Sequence, residues 1–143
     1  MEAIKEYLEL KEWLVLFIQH KDIFQKKIVK IEEKEGFVIA EYKDHTHYFA
    51  ILPKITEISF LDNYKDKQIS VITCNTKDNL NAIIGFWQKL AELQMLSIYF
   101  VNPHSNTDKK WIIYPFTHSR ISEHGALKLG LQTLFESVEE YKQ

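Results

Sequence analysis

Two short runs of β-branched and aliphatic residues bracket a strongly amphipathic segment, and this arrangement limits the possible folds more than any other feature. The runs are Gln68–Cys74 (Gln-Ile-Ser-Val-Ile-Thr-Cys) and Leu96–Val101 (Leu-Ser-Ile-Tyr-Phe-Val). Between them Leu80, Ile83, Ile84, Trp87, Leu90 and Ala91 recur at the helical period, so a helix over 77–93 joins two strands in a βαβ-like unit. Asn75 or Thr76 can cap that helix, and Asp78 in its first turn suits the positive end of the helix dipole. The return to the second strand is short, which leaves parallel and antiparallel pairing both open.

The other elements follow from periodicity. Tyr7, Leu10, Leu14, Phe17 and Ile18 keep helical spacing and predict a helix over 2–24, although Trp13–Ile18 alone would also suit a buried strand. Strand signals at Lys27–Glu32, Phe37–Lys43 and His47–Leu52 predict an antiparallel meander. Phe37 and Ile39 alternate with Val38 and Ala40, so the middle strand is expected to be covered on both faces. Asn102–Lys109 reads as a polar loop, Lys110–Phe116 as a further strand, and Leu127, Leu131, Leu134, Phe135 and Val138 as a closing helix capped near Ser122. The class is α+β: an N-terminal helix, a three-stranded meander, then β-α-β-β-α, with helices packed on a single mixed or antiparallel sheet. Four glycines, three prolines and no repeat or low-complexity stretch leave residues 1–143 as one domain. A chain of this size buries roughly 68 to 70% of its unfolded surface and needs no disulfide or metal staple.

Charge and chain ends exclude several classes. Acids (20) outnumber bases (18), and Arg120 is the one arginine, so no surplus of positive charge exists to displace counterions from a phosphate backbone. No nucleic-acid partner is expected. The start, Met1-Glu2-Ala3-Ile4-Lys5-Glu6, lacks the character of a targeting signal, and the longest apolar run, Trp13–Ile18, is far short of the roughly 20 residues that cross a bilayer. A cytoplasmic protein with no membrane association is expected, in keeping with the lone cysteine, Cys74.

Four groups of residues could carry chemistry. Cys74 ends a strand just before a helix N-terminus, where amides can activate a thiol, although free cysteine is more often a small buried hydrophobe. His45 and His47 sit two apart around a turn and could share a metal, but spacing names no third ligand. Glu41-Tyr42-Lys43, with Asp22 or Glu32 upstream, is similar to the acid-x-lysine placement of metal-dependent nucleases of the restriction-endonuclease-like fold, and the element order is loosely similar too. Glu-x-Lys also occurs at Glu9–Lys11, Glu32–Lys34 and Glu140–Lys142, however, and the strand that leads into the helix ends Thr73-Cys74-Asn75 without a carboxylate. The fourth group is the segment 100–120, which concentrates Arg120, His104, His118, Trp111 and two prolines around a loop longer than a hairpin needs. His104 and His118 are not expected to meet, and Pro115 after a strand suggests a sheet edge.

No glycine-rich phosphate loop, nucleophile elbow or calcium loop is present, so no catalytic residue, metal ligand or cofactor is assigned. These features favour a non-catalytic interaction module that binds a protein partner, or a second copy of itself as a homodimer, through 102–120. Asn102, His104, Lys110, Trp111, His118 and Arg120 are the candidate contacts, since aromatic residues and arginine anchor interfaces. Trp111→Ala or Arg120→Ala should then spare the fold and abolish association. The alternative is a metal-dependent nuclease or hydrolase, or a degenerate relative of one, built on Glu32, Glu41 and Lys43. A third reading places a small ligand at the strand-to-helix turn around Asn75–Asn79.

Overall fold

A computed structural model describes residues 2–121 and 125–142, and the cap expected near Ser122 lies outside the described residues, as does His124. Helix α1 (Glu2–Lys21) is followed by strands β1 (Ile28–Lys34), β2 (Phe37–Tyr42) and β3 (Thr46–Ile51), a 3-10 helix at Ser59–Tyr64, and β4 (Gln68–Cys74). Helices α2 (Lys77–Gly85) and α3 (Trp87–Leu90), strands β5 (Leu96–Val101) and β6 (Lys110–Ile113), and helices α4 (Pro115–Ile121) and α5 (Ala126–Glu136) complete the order. All six strands form one sheet in which spatial order equals chain order, β1-β2-β3-β4-β5-β6. The meander is antiparallel, β3, β4 and β5 are mutually parallel, and β6 turns back antiparallel to β5. The α+β architecture with a mixed sheet is the one the periodicities imply, and the pairing left open between β4 and β5 is parallel.

In α1 the three-to-four residue spacing decides the structure. Leu10, Leu14 and Ile18 are buried, whereas Leu16 between them is 67% exposed, so the apolar run over 13–18 is one face of a helix and not a strand. That face packs on Val38, Ala40, Phe49, Ile72 and Cys74. Each such fully buried side chain contributes on the order of 1.5 to 3 kcal/mol. The opposite face of the sheet carries Ile69, Val71, Leu96, Ile98, Phe100 and Ile113 under α2, α3, α5 and the 3-10 helix. Strand β2 is enclosed only on the α1 side, where Val38 and Ala40 are buried, while Phe37 and Ile39 are half-buried on the other. The β1–β2 turn needs just Glu35 and Gly36, because Gly36 takes φ 81°, the left-handed geometry that a tight hairpin demands.

Two expected boundaries shift for local reasons. The helix expected over 77–93 breaks at Phe86 (φ −98°, ψ 7°), directly after Gly85, a poor helix former, although the Phe86 N–H still reaches the Ala82 carbonyl. The strand expected over 110–116 stops at Ile113. Pro115 instead occupies the first position of α4, where its fixed φ suits a helix and its missing N–H costs nothing. The edge position expected from that proline is found, since β6 closes one side of the sheet. Thr76, as expected, caps α2 by accepting from the Asn79 N–H at 3.2 Å.

Candidate functional site

The carboxyl ends of the parallel strands, where open α/β sheets often hold ligands, are occupied by the chain's own segment 135–141. Asn75, fully buried just after β4, donates through its amide to the carbonyls of Phe135, Val138 and Glu139 at 3.3, 3.0 and 3.2 Å. Its side-chain oxygen accepts from the Trp111 indole N–H at 2.8 Å, and its backbone carbonyl accepts from the Tyr141 N–H at 2.8 Å. Asn102 donates to the Glu139 carbonyl at 3.0 Å and accepts from the His104 N–H at 3.0 Å. A Glu140 carboxylate oxygen takes the Lys77 N–H at 3.2 Å and Thr76 takes that of Asn79, so amides that a ligand at 75–79 would use are already engaged.

These contacts correct part of the expected interface. Trp111 is 5% exposed and stacks on Phe100 at 4.2 Å, and Asn102 is 4% exposed. Trp111 faces inward to donate to the Asn75 side-chain oxygen and Asn102 to donate to the Glu139 carbonyl, so neither side chain turns its polar group to a partner. His104 is exposed and bonds Glu9 on α1, which also accepts from the Tyr141 hydroxyl at 2.7 Å. Burial alone would raise the Glu9 carboxyl, but the bonds from Tyr141 and His104 and the charges of His104 and Lys5 outweigh it and hold it below the ordinary range. Lys110 lies half-buried with its ammonium 5.2 Å over the Phe17 ring. Arg120 is exposed, but its guanidinium sits 3.5 Å over Phe116 and donates to the Phe116 carbonyl. His118 belongs to the opposite end of β6 from His104, where its Nδ1 accepts from the Tyr114 N–H and its ring stacks on Tyr114.

The amino ends of the same parallel strands are built differently. A hollow of about 350 Å³ lies there between the last turns of α1 and the starts of β3, β4 and β5. Phe17, Tyr42, Tyr99 and Tyr114 supply aromatic walls, and His47 and Ser97 line it from the sheet. Strand register explains the meeting of polar groups: Ser70 and Ser97 are direct neighbours on β4 and β5, and Ser70 lies opposite Phe49, two residues on from His47. The result is a hydrogen-bonded relay across three strands, His47 Nε2 to Ser70 Oγ at 2.8 Å and Ser70 Oγ to Ser97 Oγ at 2.6 Å. Ser70 is fully buried and Ser97 is 7% exposed.

The sheet side of the hollow carries no charge at neutral pH, although Lys21 and Asp22 also line it. Burial, helped by the nearby positive charges of His45 and Lys21, pushes the His47 imidazole down to about 4, so it is neutral. Burial raises the Tyr99 phenol to about 12 and lifts Tyr42 as well, the latter with help from Asp22. At the rim the Asp22 carboxylate is taken up by the N–H groups of Lys27 and Ile28 at 2.8 and 2.9 Å. A second depression, of about 340 Å³, lies among Asp62, Lys65, Asp66, Lys89 and Glu92 and is a solvated charged surface without such a floor.

The remaining candidates do not assemble into reactive sites. Cys74 is 1% exposed, and burial, reinforced by Glu6 and Glu9, raises its thiol to about 12, so it stays protonated and inert. His45 bonds Asp44 and stacks on Tyr42 while His47 turns to Ser70, and among the described residues no three His, Cys, Asp or Glu side chains converge on a metal position. Glu32 lies between Lys30 and Lys34 on a strand face, Glu41 and Lys43 are exposed, and none of the three lines either hollow. Among the described residues no helix is long and apolar enough to cross a membrane. Compared with family models, curated proteins and solved structures, the chain matches none, so its function is argued from its own geometry.

Proposed function

We propose that this domain is a non-catalytic recognition module whose binding site is the hollow at the amino ends of β3, β4 and β5. The observation that supports this most is the lining: aromatic walls around the neutral hydrogen-bonding groups His47 and Ser97, with Lys21 and Asp22 beside them, the composition of a ligand site. His47 and Ser97 do not touch each other, and Ser70 between them is sealed from solvent, which argues against a serine nucleophile with an adjacent base. The experiment is a fragment titration of ¹⁵N-labelled protein. Shifts clustered on residues 45–49, 97–99 and 114 are expected, and shifts confined to 74–79, or none at all, reject the reading.

A second reading keeps a protein partner, or a second copy of the chain, on the part of 102–120 that stays outside. Ile121, next to Arg120 on α4, at 74% exposure and Tyr114, just before that helix, at 46% favour it. Light scattering of Arg120→Ala and Ile121→Glu against wild type tests this, and an unchanged mass across all three, with wild type monomeric, rejects self-association.

A further inference from the structure

The relay beneath the hollow narrows the class of ligand. We infer that the hollow takes a neutral, planar heteroaromatic small molecule through one hydrogen bond at Ser97, and that the tautomer of His47 sets whether Ser97 can donate that bond. This inference rests on the recognition reading and adds to it the chemistry of the ligand.

Planarity follows from the walls. Phe17 and Tyr99 meet edge to face at 5.9 Å, and Tyr42 and Tyr114 line the same hollow, so a flat ring gains aromatic contact that a branched or puckered group does not. Neutrality follows from the floor. Ser97 and His47 carry no charge there. Lys21 and Asp22 also line the hollow, but the Asp22 carboxylate is taken up by backbone N–H groups, and the Lys21 and Lys110 ammoniums lie 5.4 and 5.2 Å over the Phe17 ring. An anion at the floor would therefore lose hydration without a cation bonded beside it.

The relay has two consistent proton orders. With the proton on His47 Nε2, that nitrogen donates to Ser70 Oγ, Ser70 donates to Ser97 Oγ, and the Ser97 hydroxyl is left to donate into the hollow. With the proton on Nδ1, Nε2 accepts from Ser70, Ser70 Oγ accepts from Ser97, and the Ser97 oxygen is left to accept from a ligand. Serine hydroxyls rotate to suit either order, and neutral imidazole offers one donor and one acceptor in both tautomers. The two states share the same heavy-atom geometry, 2.8 and 2.6 Å, so a ligand selects between them without moving the sheet.

The probes are pyridine, which offers only an acceptor, indole, which offers only an N–H donor, benzoate as a planar anion, and cyclohexanecarboxamide as a polar but non-planar ring. Titrations at pH 7.5 with ¹⁵N-labelled protein report binding from the amides of 97–99, and long-range ¹H–¹⁵N correlations report which His47 nitrogen carries the proton. Pyridine and indole are expected to bind at the hollow, with the proton on Nε2 in the pyridine complex, the one order that leaves the Ser97 O–H free to donate, whereas indole can be accepted in either order. Ser97→Ala is expected to weaken both by roughly tenfold. Ser70→Ala should leave both binding while uncoupling the tautomer from the ligand, and if that variant does not fold, Ser97→Ala still tests the contact. A His47 proton on Nδ1 with pyridine bound overturns the relay alone. Tighter binding of benzoate or the carboxamide overturns the ligand class. Failure of all four probes to reach the hollow rejects the recognition reading itself.

Discussion

The two ends of the parallel strands β3, β4 and β5 share a sheet and a covering helix but have opposite uses of their polar groups. At the carboxyl end Asn75, Asn102, Thr76 and Glu140 direct their side-chain hydrogen bonds at the chain itself, mostly at its backbone, and the Trp111 indole is drawn inward to the Asn75 oxygen. At the amino end the relay from His47 stops at Ser97, on the wall of a hollow. Segment 135–141 thus fills most of the strand ends that usually bind ligands, leaving a hollow of about 240 Å³ beside Cys74, Thr76 and Asn79, and the larger, aromatic-walled hollow falls at the other end. Topology marks where a site can form, and the segment that packs there decides whether one does.

The comparison can be broken most forcefully at Asn75. Asn75→Ala removes the acceptor of a buried indole N–H and the donor to three carbonyls, and a loss of about 3 kcal/mol or more in urea unfolding is expected. A loss below about 1 kcal/mol would show that the carboxyl end is held by packing alone. Next in size is an acid effect at the amino end. The folded His47 titrates near 4 whereas an unfolded histidine titrates near 6.5, so as pH falls from about 6.5 towards 4 the unfolded state takes up a proton that the folded state refuses. Stability is therefore complete above pH 6.5 and declines below it, by about 2 to 3 kcal/mol at pH 4, and His47→Gln should flatten the slope between pH 6.5 and 5, above the range where Glu9 adds its own loss. Tyr141→Phe, which deletes the bond to Glu9, should cost about 1 kcal/mol by the same unfolding measurement. Ser97→Ala should cost least, about 0.5 kcal/mol, because Ser70 keeps His47 as a partner and no group is orphaned.

Much of the fold was legible because its signals are local. The 3.6 period of α1, the Thr76 cap and the β-branched runs of β4 and β5 each lie within a dozen residues and agree with the packing that the structure uses. The break at Phe86 and the start of α4 at Pro115 were less legible, since a proline after a strand marks a helix start as well as a sheet edge. The candidate site was mostly hidden. His47, Ser70 and Ser97 stand 23 and 27 residues apart, and only strand register brings them together. One signal was present: each of two apolar runs carries a serine near its start, a polar residue inside a buried strand that must find a partner. Trp111 misled for the related reason that its partner, Asn75, lies 36 residues away, and an indole N–H satisfied at that distance leaves no mark in the sequence around it.

The anchoring of 135–141 by Asn75 and Asn102 also bears on how the protein comes to be made. Among the described residues every strand precedes that segment in the chain, so the sheet can pair strand by strand and Trp111 can meet Asn75, yet the Asn75 amide has none of its three carbonyl partners until residues 135–141 are in place. Closure of the carboxyl end therefore depends on the last stretch of the described chain to be made.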